Sequence, residues 1–228
     1  KAVGKPLAKF ATRVMLGERL VDMAGELDSG DELEHVSVKE AVLPFGRFPS
    51  ADAVLGPEMK STGEVMGIAN DYPAAFGKAQ AAAGAELPDQ GTVFISVTDG
   101  DKPAATQLAA ALHDLGFQIT ATGGTAAAIR RMGVPVERIH KISEGSPNVA
   151  DRITSGDVDL VINTPTGSGA RADGWEIRRA AVARGIPCIT TMTGASAAQR
   201  AILARRKGDP PVRSLQELHG RARSRSAA

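Results

Sequence analysis

Five short strand-like runs alternate with segments of helical spacing between residues 92 and 206, and this alternation is the strongest constraint on what the chain can fold into. The runs are "TVFISV" (92–97), "FQITA" (117–121), "VERIHKI" (136–142), "VDLVIN" (158–163) and "IPCIT" (186–190). Most are too apolar to leave one strand face in water, which suits strands covered on both sides. Between them lie a helix over 101–115 with Pro103 in its first turn and Gly116 after its end, "TAAAIRRM" stopped by Gly133, "NVADRITSG", and "DGWEIRRAAVARG" with Trp175, Ile177, Ala180 and Ala181 at helical spacing. The long helix "SAAQRAILARR" closes the series. Strands joined by helical crossovers predict an α/β fold: a five-stranded, mostly parallel, Rossmann-like sandwich with helices on both faces.

The first 84 residues follow another plan. A helix with Leu7, Phe10, Ala11, Val14 and Met15 on one face ends at Gly17, followed by the acidic loop "ELDSGDELE", the strand-like "HVSVKEAVLPF" and "STGEVMGIA", and a helix over "DYPAAFGKAQAAAG". These elements make no complete layer architecture. The Pro- and Gly-bearing "GAELPDQG" marks a connection, so the chain divides into an α+β segment, 1–84, and the sandwich, 85–228. The start, with no initiator methionine, reads as a piece of something longer, and the Arg/Ser ending reads as a solvated tail.

Composition excludes several classes of function. There are 27 Lys and Arg against 26 Asp and Glu, leaving a net charge of +1 and no global field for nucleic acid or an anionic membrane. No apolar run approaches the ~20 residues of a membrane span. A lone Cys188 and four scattered histidines exclude a disulfide framework and disfavour a structural metal site; the usage fits a reducing, cytoplasmic setting.

In an open parallel sheet, ligands bind beyond the carboxyl ends of the strands. The residues there are Ser96, Asp99 and Lys102; Thr122, Gly123, Gly124 and Thr125; Lys141; Asn163, Thr164, Thr166 and Gly167; and Thr190, Thr191 and Thr193. Hydroxyls, glycines, an amide and two lysines suit a phosphate and a polar sugar. In "ATGGTA" the two glycines leave backbone N–H groups open at a helix start placed at Thr125, with Thr122 and Thr125 as further donors. The same loop also reads as a tight strand-to-helix turn with Thr125 as N-cap. It has neither the Lys-Ser/Thr of a Walker A loop nor the G-x-G-x-x-G spacing of a dinucleotide fold, which points to a monophosphate. Arg178 and Arg179 read as surface charge or salt-bridge partners and Cys188 as core. No nucleophile with its base and no carboxylate pair lies in these loops; Asp99 and Glu144 are the nearest acids, so the site reads as one that binds without reacting.

The segments "SVTDGDK", "ATGGTA", "KISEG", "RITSGDVDLVINTP" and "EIRRAA", in this order, resemble the methylglyoxal-synthase-like domain that closes the large subunit of carbamoyl phosphate synthases. "PLAKFATRVMLG", "VKEAVLPFGRFP", "LGPEMKSTGEVMG" and "AFGKAQ" resemble the end of the second ATP-grasp half of that subunit.

The resemblance implies the regulatory C-terminal part of a ligase that makes carbamoyl phosphate from bicarbonate, glutamine and two ATP, for arginine and pyrimidine synthesis. ATP and Mg2+ or Mn2+ serve the whole enzyme, and the fragment itself is not catalytic. The implied partners are the remainder of the large subunit, a small glutaminase subunit, and further copies of that heterodimer. The implied effectors are UMP as inhibitor and IMP or ornithine as activators. Carried over residue by residue, Lys102, Thr122, Thr125 and Lys141 hold the phosphate, Ser96 stands beside them, and Asn163 and Thr164 lie near ribose or base. Gly123 and Gly124 complete the loop, and Glu40 and Thr190 match the ornithine site. Where the family often has several arginines, the loop "GSGAR" keeps only Arg171, which leaves effector preference open. The alternatives are a free-standing phosphate lyase of the methylglyoxal synthase kind, although "SPNVAD" lacks that enzyme's acid, and a structural role in assembly.

Overall fold

The computed structural model describes residues 2–27, 33–42, 63–164 and 171–219. Strands β3 (Thr92–Ser96), β4 (Gln118–Thr122), β5 (Glu137–Ile139), β6 (Leu160–Asn163) and β7 (Cys188–Ile189) form one sheet in the order β5-β4-β3-β6-β7, every neighbouring pair parallel. The expected "mostly parallel" sheet is thus wholly parallel among the described residues. Chain order runs outward from β3 in both directions, and the reversal falls between β3 and β6.

Side-chain alternation along β3 divides the core in two. Val93 and Ile95 join Leu112, Ile119, Ile129 and Ile202 on the face covered by α4 (Lys102–Asp114), α5 (Gly123–Arg131) and α8 (Met192–Arg206). Phe94 joins Val149, Ile153, Val161, Ile177 and Ala181 on the face covered by α6 (Val149–Ser155) and α7 (Arg171–Ala183). Both cores are aliphatic apart from Phe94 and Phe117, as a chain with 4% aromatic residues requires.

Ahead of the sandwich, β1 (Val36–Val42) and β2 (Gly63–Ala69) pair antiparallel, Val36 opposite Ala69, and α3 (Tyr72–Ala82) packs on them and on α8. Asp71 caps α3 by accepting from Ala74 N at 2.9 Å, and Pro73 stands in the first turn. Gly67 lets α3 approach β2 to backbone contact: a Cβ there would lie 2.0 Å from Ala75 O. Lys78 Nζ donates to the carbonyls of Ile68 at 3.0 Å and Pro211 at 2.6 Å, tying the segment after α8 to β2.

Two expectations for the first residues change. The helix α1 (Leu7–Met15) forms, but of its apolar face only Phe10 is buried, with Leu7 53% and Met15 86% exposed. The expected acidic loop, 26–34, has its first two residues in a short helix, and residues 28–32 lie outside the described residues. A 3-10 turn, Leu20–Met23, leads into α2 (Ala24–Leu27), and Arg13 pairs with both Glu18 and Glu26 at 2.7 and 3.1 Å.

Candidate functional site

The carboxyl ends of β3, β4 and β6 bring most of the expected site residues together. Ser96 on β3 lies in register with Asn163 on β6, at the reversal of strand order, where a crevice between diverging crossovers is the preferred ligand position. The Ser96 hydroxyl shares a hydrogen bond of 3.0 Å with the Thr122 hydroxyl at the end of β4. Asn163 Nδ2 donates to the Ser96 carbonyl at 3.2 Å.

Thr122, Thr125, Asn163 and Thr164 are all buried. Thr125 Oγ1 accepts from Val97 N at 3.4 Å and Thr164 Oγ1 accepts from Thr98 N at 3.1 Å. A hydroxyl used as an acceptor still has its own proton to donate, and the Ser96–Thr122 pair uses only one of its two protons. Burial therefore fixes these hydroxyls in place while leaving donors for an anion.

Helix α5 starts at Gly123, two residues before the expected start, so Thr122 occupies the N-cap position and Thr125 lies in the first turn. Thr122 makes no side-chain cap bond, and Thr125 instead reaches Val97. Sequence reasoning placed the helix start late because consecutive glycines are poor helix formers, a weak preference that the packing of Ala126 and Ile129 overrides. Neither Gly123 nor Gly124 has a positive φ. What Gly124 provides is room: a Cβ there would lie 3.1 Å from Lys102 Nζ.

Lys102, at the first position of α4, thus has its ammonium over the start of α5, paired with Asp99 at 2.5 Å. That contact holds the Asp99 carboxyl below its ordinary range, and the charge of Lys141 adds to the effect. Lys141 itself is exposed, and its backbone N–H donates to Glu144 at 3.1 Å. The charge of Lys141 thus reaches the carboxylate that Lys102 pairs with.

The surface reading of Arg178 is overturned. It is 2% exposed, on the α7 face turned to the sheet, and its Nη1 donates to Asn163 Oδ1 at 2.8 Å. Gly174, one turn earlier, provides the space: a Cβ there would lie 2.8 Å from that nitrogen. The available signal was the spacing of Gly174, Ile177, Arg178 and Ala181, which puts Arg178 inside the apolar stripe. Arg179 keeps the expected surface place, stacked on the Trp175 ring at 5.2 Å. Arg138, which sequence reasoning also missed, lies beside Gly123 with its Nε 3.5 Å from where a Cβ would be.

The remaining candidates stand apart. Glu40 on β1 faces Gln80 of α3; burial pushes its carboxyl above the ordinary value, opposed by the Gln80 hydrogen bond. Thr190 follows β7, beside Thr191, which caps α8 by accepting from Gly194 N at 3.1 Å, and Thr193 lies in the first turn of that helix. Helix α3 packs against both β1 and α8, the elements next to Glu40 and Thr190. Thr166 and Gly167 lie outside the described residues. Cys188 is half-buried against the α6–α7 core.

A cavity of about 420 Å³ lies elsewhere, between α3 and the end of α8, lined by Asp71, Lys78, Leu87, Ile202, Arg205 and Pro211 among others. Two of its three lining cations are engaged within the protein: Lys78 by two carbonyls, Arg205 by Asp89 at 2.7 Å and Glu86 at 3.5 Å; the third is Lys207. The sheet end differs from it in setting hydroxyls with spare protons beside its lysines.

A family model of the MGS-like domain matches residues 104–190. The carbamoyl phosphate synthase large chain of Gemmatimonas aurantiaca is 52% identical over 96% of this chain, which spans 20% of that relative. The "Carbamoyl phosphate synthase large chain, C-terminal section" of Methanopyrus kandleri is 50% identical over 96% of this chain and 41% of its own length. Among solved structures, methylglyoxal synthase from Elizabethkingia anophelis NUHP1 is 22% identical, with a TM-score of 0.40 over 50% of this chain and 79% of its own. The chain thus spans about a fifth of the length of the full large chains it matches. Over nearly its whole length the chain is similar to carbamoyl phosphate synthase large chains, one of them a C-terminal section, and its residues 104–190 match the MGS-like domain.

Proposed function

We propose that this chain is the regulatory part of a glutamine-dependent carbamoyl phosphate synthase, and that its sheet-end site binds a nucleoside monophosphate effector. One observation carries the reading: Ser96, Thr122, Thr125 and Thr164 are fixed by internal hydrogen bonds that leave protons to donate, and the Lys102 ammonium stands over the same helix start. A phosphate in this position meets neutral donors, the positive end of α5 and two lysines. Asn163 and Thr164 then lie beside the ribose or base. UMP is the proposed inhibitor and IMP or ornithine the proposed activators, ornithine engaging Glu40 and Thr190 where residues 1–84 meet the sandwich of 85–228. Occupancy shifts the rest of the large chain between states through differential contacts, for which a coupling of about 1–3 kcal/mol suffices. On this reading the ATP and divalent-metal chemistry, and the glutaminase contact, belong to the remainder of a cytoplasmic assembly.

Thermal unfolding with UMP, IMP and ornithine tests the proposal. A ligand at a hundred times its Kd adds about 2.7 kcal/mol of stability, which for a domain of this size raises the midpoint by roughly 5–10 °C. No shift with any of the three at millimolar concentration refutes effector binding and supports a purely structural role. Turnover of dihydroxyacetone phosphate refutes the binding-only reading in favour of a lyase.

A further inference from the structure

We propose that Arg138 is a third phosphate-holding cation of this site and selects dianionic phosphate monoesters; the inference rests on the nucleotide reading above and adds the charge state of the ligand. Arg138 lies on the edge strand β5, in register with Ala121, one residue before the N-cap Thr122 of α5. Its guanidinium spreads across the first residue of that helix: Nε, Cζ and Nη2 stand 3.5, 3.7 and 3.7 Å from the position of a Gly123 Cβ. Lys102 Nζ stands 3.1 Å from the corresponding position at Gly124. Two cationic groups therefore flank consecutive residues of one helix start, and the charge of Lys141 reaches the same mouth, acting on Asp99.

Such crowding opposes folding. A helix start carries about half a positive charge, so cations belong at the other end. The local acids offset it only in part: Glu144 forms a long ion pair with Arg138 Nη2 at 3.8 Å, beyond hydrogen-bond distance, and the same oxygen, Oε2, accepts from Lys141 N at 3.1 Å. Glu137, next to Arg138, is taken up by Arg152. Asp99 is paired to Lys102. Three cations and a helix dipole at a water-facing mouth, with two carboxylates beside them, leave an excess of positive charge that suits an anion. Arg138 adds what the lysines lack, a planar fork able to bind two phosphate oxygens at once. A phosphate monoester near neutral pH carries close to two charges, a diester one.

The test compares UMP with its methyl phosphodiester by calorimetric titration at pH 7.5, in the wild type, Arg138→Gln and Arg138→Lys. The wild type is expected to favour UMP by about tenfold or more, the scale of a charge-assisted hydrogen bond. In Arg138→Gln, UMP affinity falls by about tenfold while the diester's falls far less, so the preference shrinks towards one; Arg138→Lys lies between. Unliganded midpoints stay close together, because Arg138 is exposed. An unchanged preference in Arg138→Gln overturns the assignment and leaves the nucleotide reading standing. If the wild type binds neither UMP nor its diester, the nucleotide reading falls and the role of Arg138 with it.

Discussion

The buried guanidinium of Arg178 donates to Asn163 Oδ1 across 2.8 Å, and Asn163 Nδ2 donates in turn to the Ser96 carbonyl at 3.2 Å. A charged residue of α7 thereby fixes which way the amide points at the switch between β3 and β6. The amide's orientation, and with it any contact to a ribose or base, depends on a residue 15 positions away in sequence.

Replacing Arg178 with Met keeps most of the volume and removes the donor. Asn163 Oδ1 is then buried without its partner, which costs roughly 1–3 kcal/mol. In urea unfolding the midpoint falls while the slope with denaturant stays the same. An unchanged midpoint would show that the amide finds another donor and that Arg178 does not position it.

The order of elements in the sandwich was legible because parallel strands buried on both faces leave a strong mark: apolar runs broken at regular intervals by helical spacing. The residues at their carboxyl ends followed from that order, and Ser96, Thr122, Thr125, Asn163 and Thr164 do meet there. What escaped was decided by tertiary packing. The start of α5 depends on Ala126 and Ile129 docking on the sheet, against the poor helix propensity of Gly123 and Gly124. Arg178 looked like surface charge although its spacing from Ile177 and Ala181 put it in the apolar stripe, because the partner that accommodates its charge, Asn163, lies on another element. Arg138 sits on a three-residue strand with mixed polarity, so nothing in the spacing tied it to Gly123. The apolar face of α1 was correctly periodic, yet periodicity does not say that a face is covered, and among the described residues only Phe10 of it is buried.

Glu40 gives a prediction with a definite sign. Burial raises its carboxyl above the ordinary value of 4.5. The folded protein therefore binds this proton more readily than the unfolded chain, and the residue's contribution to stability is fullest below about pH 4.5 and is lost as pH rises through the folded value. Glu40→Gln removes that loss and can keep the hydrogen bond to Gln80. The variant is expected to match the wild type in acid and to melt at higher temperature at pH 7, the gap opening between pH 4 and 7. A gap that stays constant with pH would show that Glu40 titrates alike in both states.

Gly67 holds α3 on β2. A Cβ there meets Ala75 O at 2.0 Å and Ala79 N at 2.6 Å, both backbone atoms that cannot turn aside. Gly67→Ala must therefore push the helix off the strand pair, at a cost near or above the top of the ~1–3 kcal/mol typical of overpacking. The midpoint is expected to fall by roughly 6 °C or more, with amide exchange accelerated first in α3. Faster exchange in α4 and α5 before α3 would contradict this account.

Gly124→Ala sets two effects against each other at the proposed phosphate position. Alanine in a helix is favoured over glycine by up to about 1 kcal/mol, which raises the midpoint by roughly 2–4 °C. The new methyl stands 3.1 Å from Lys102 Nζ, too close for comfort but against the tip of a flexible side chain, so the ammonium shifts by a few tenths of an ångström rather than the backbone. Folding is therefore expected to gain and phosphate binding to lose. UMP affinity should weaken by about threefold to tenfold, a fraction of what a charge-assisted hydrogen bond contributes. Calorimetric titration beside thermal unfolding separates the two. A more stable variant with undiminished UMP affinity would show that Lys102 does not hold the phosphate from the position it occupies over α5.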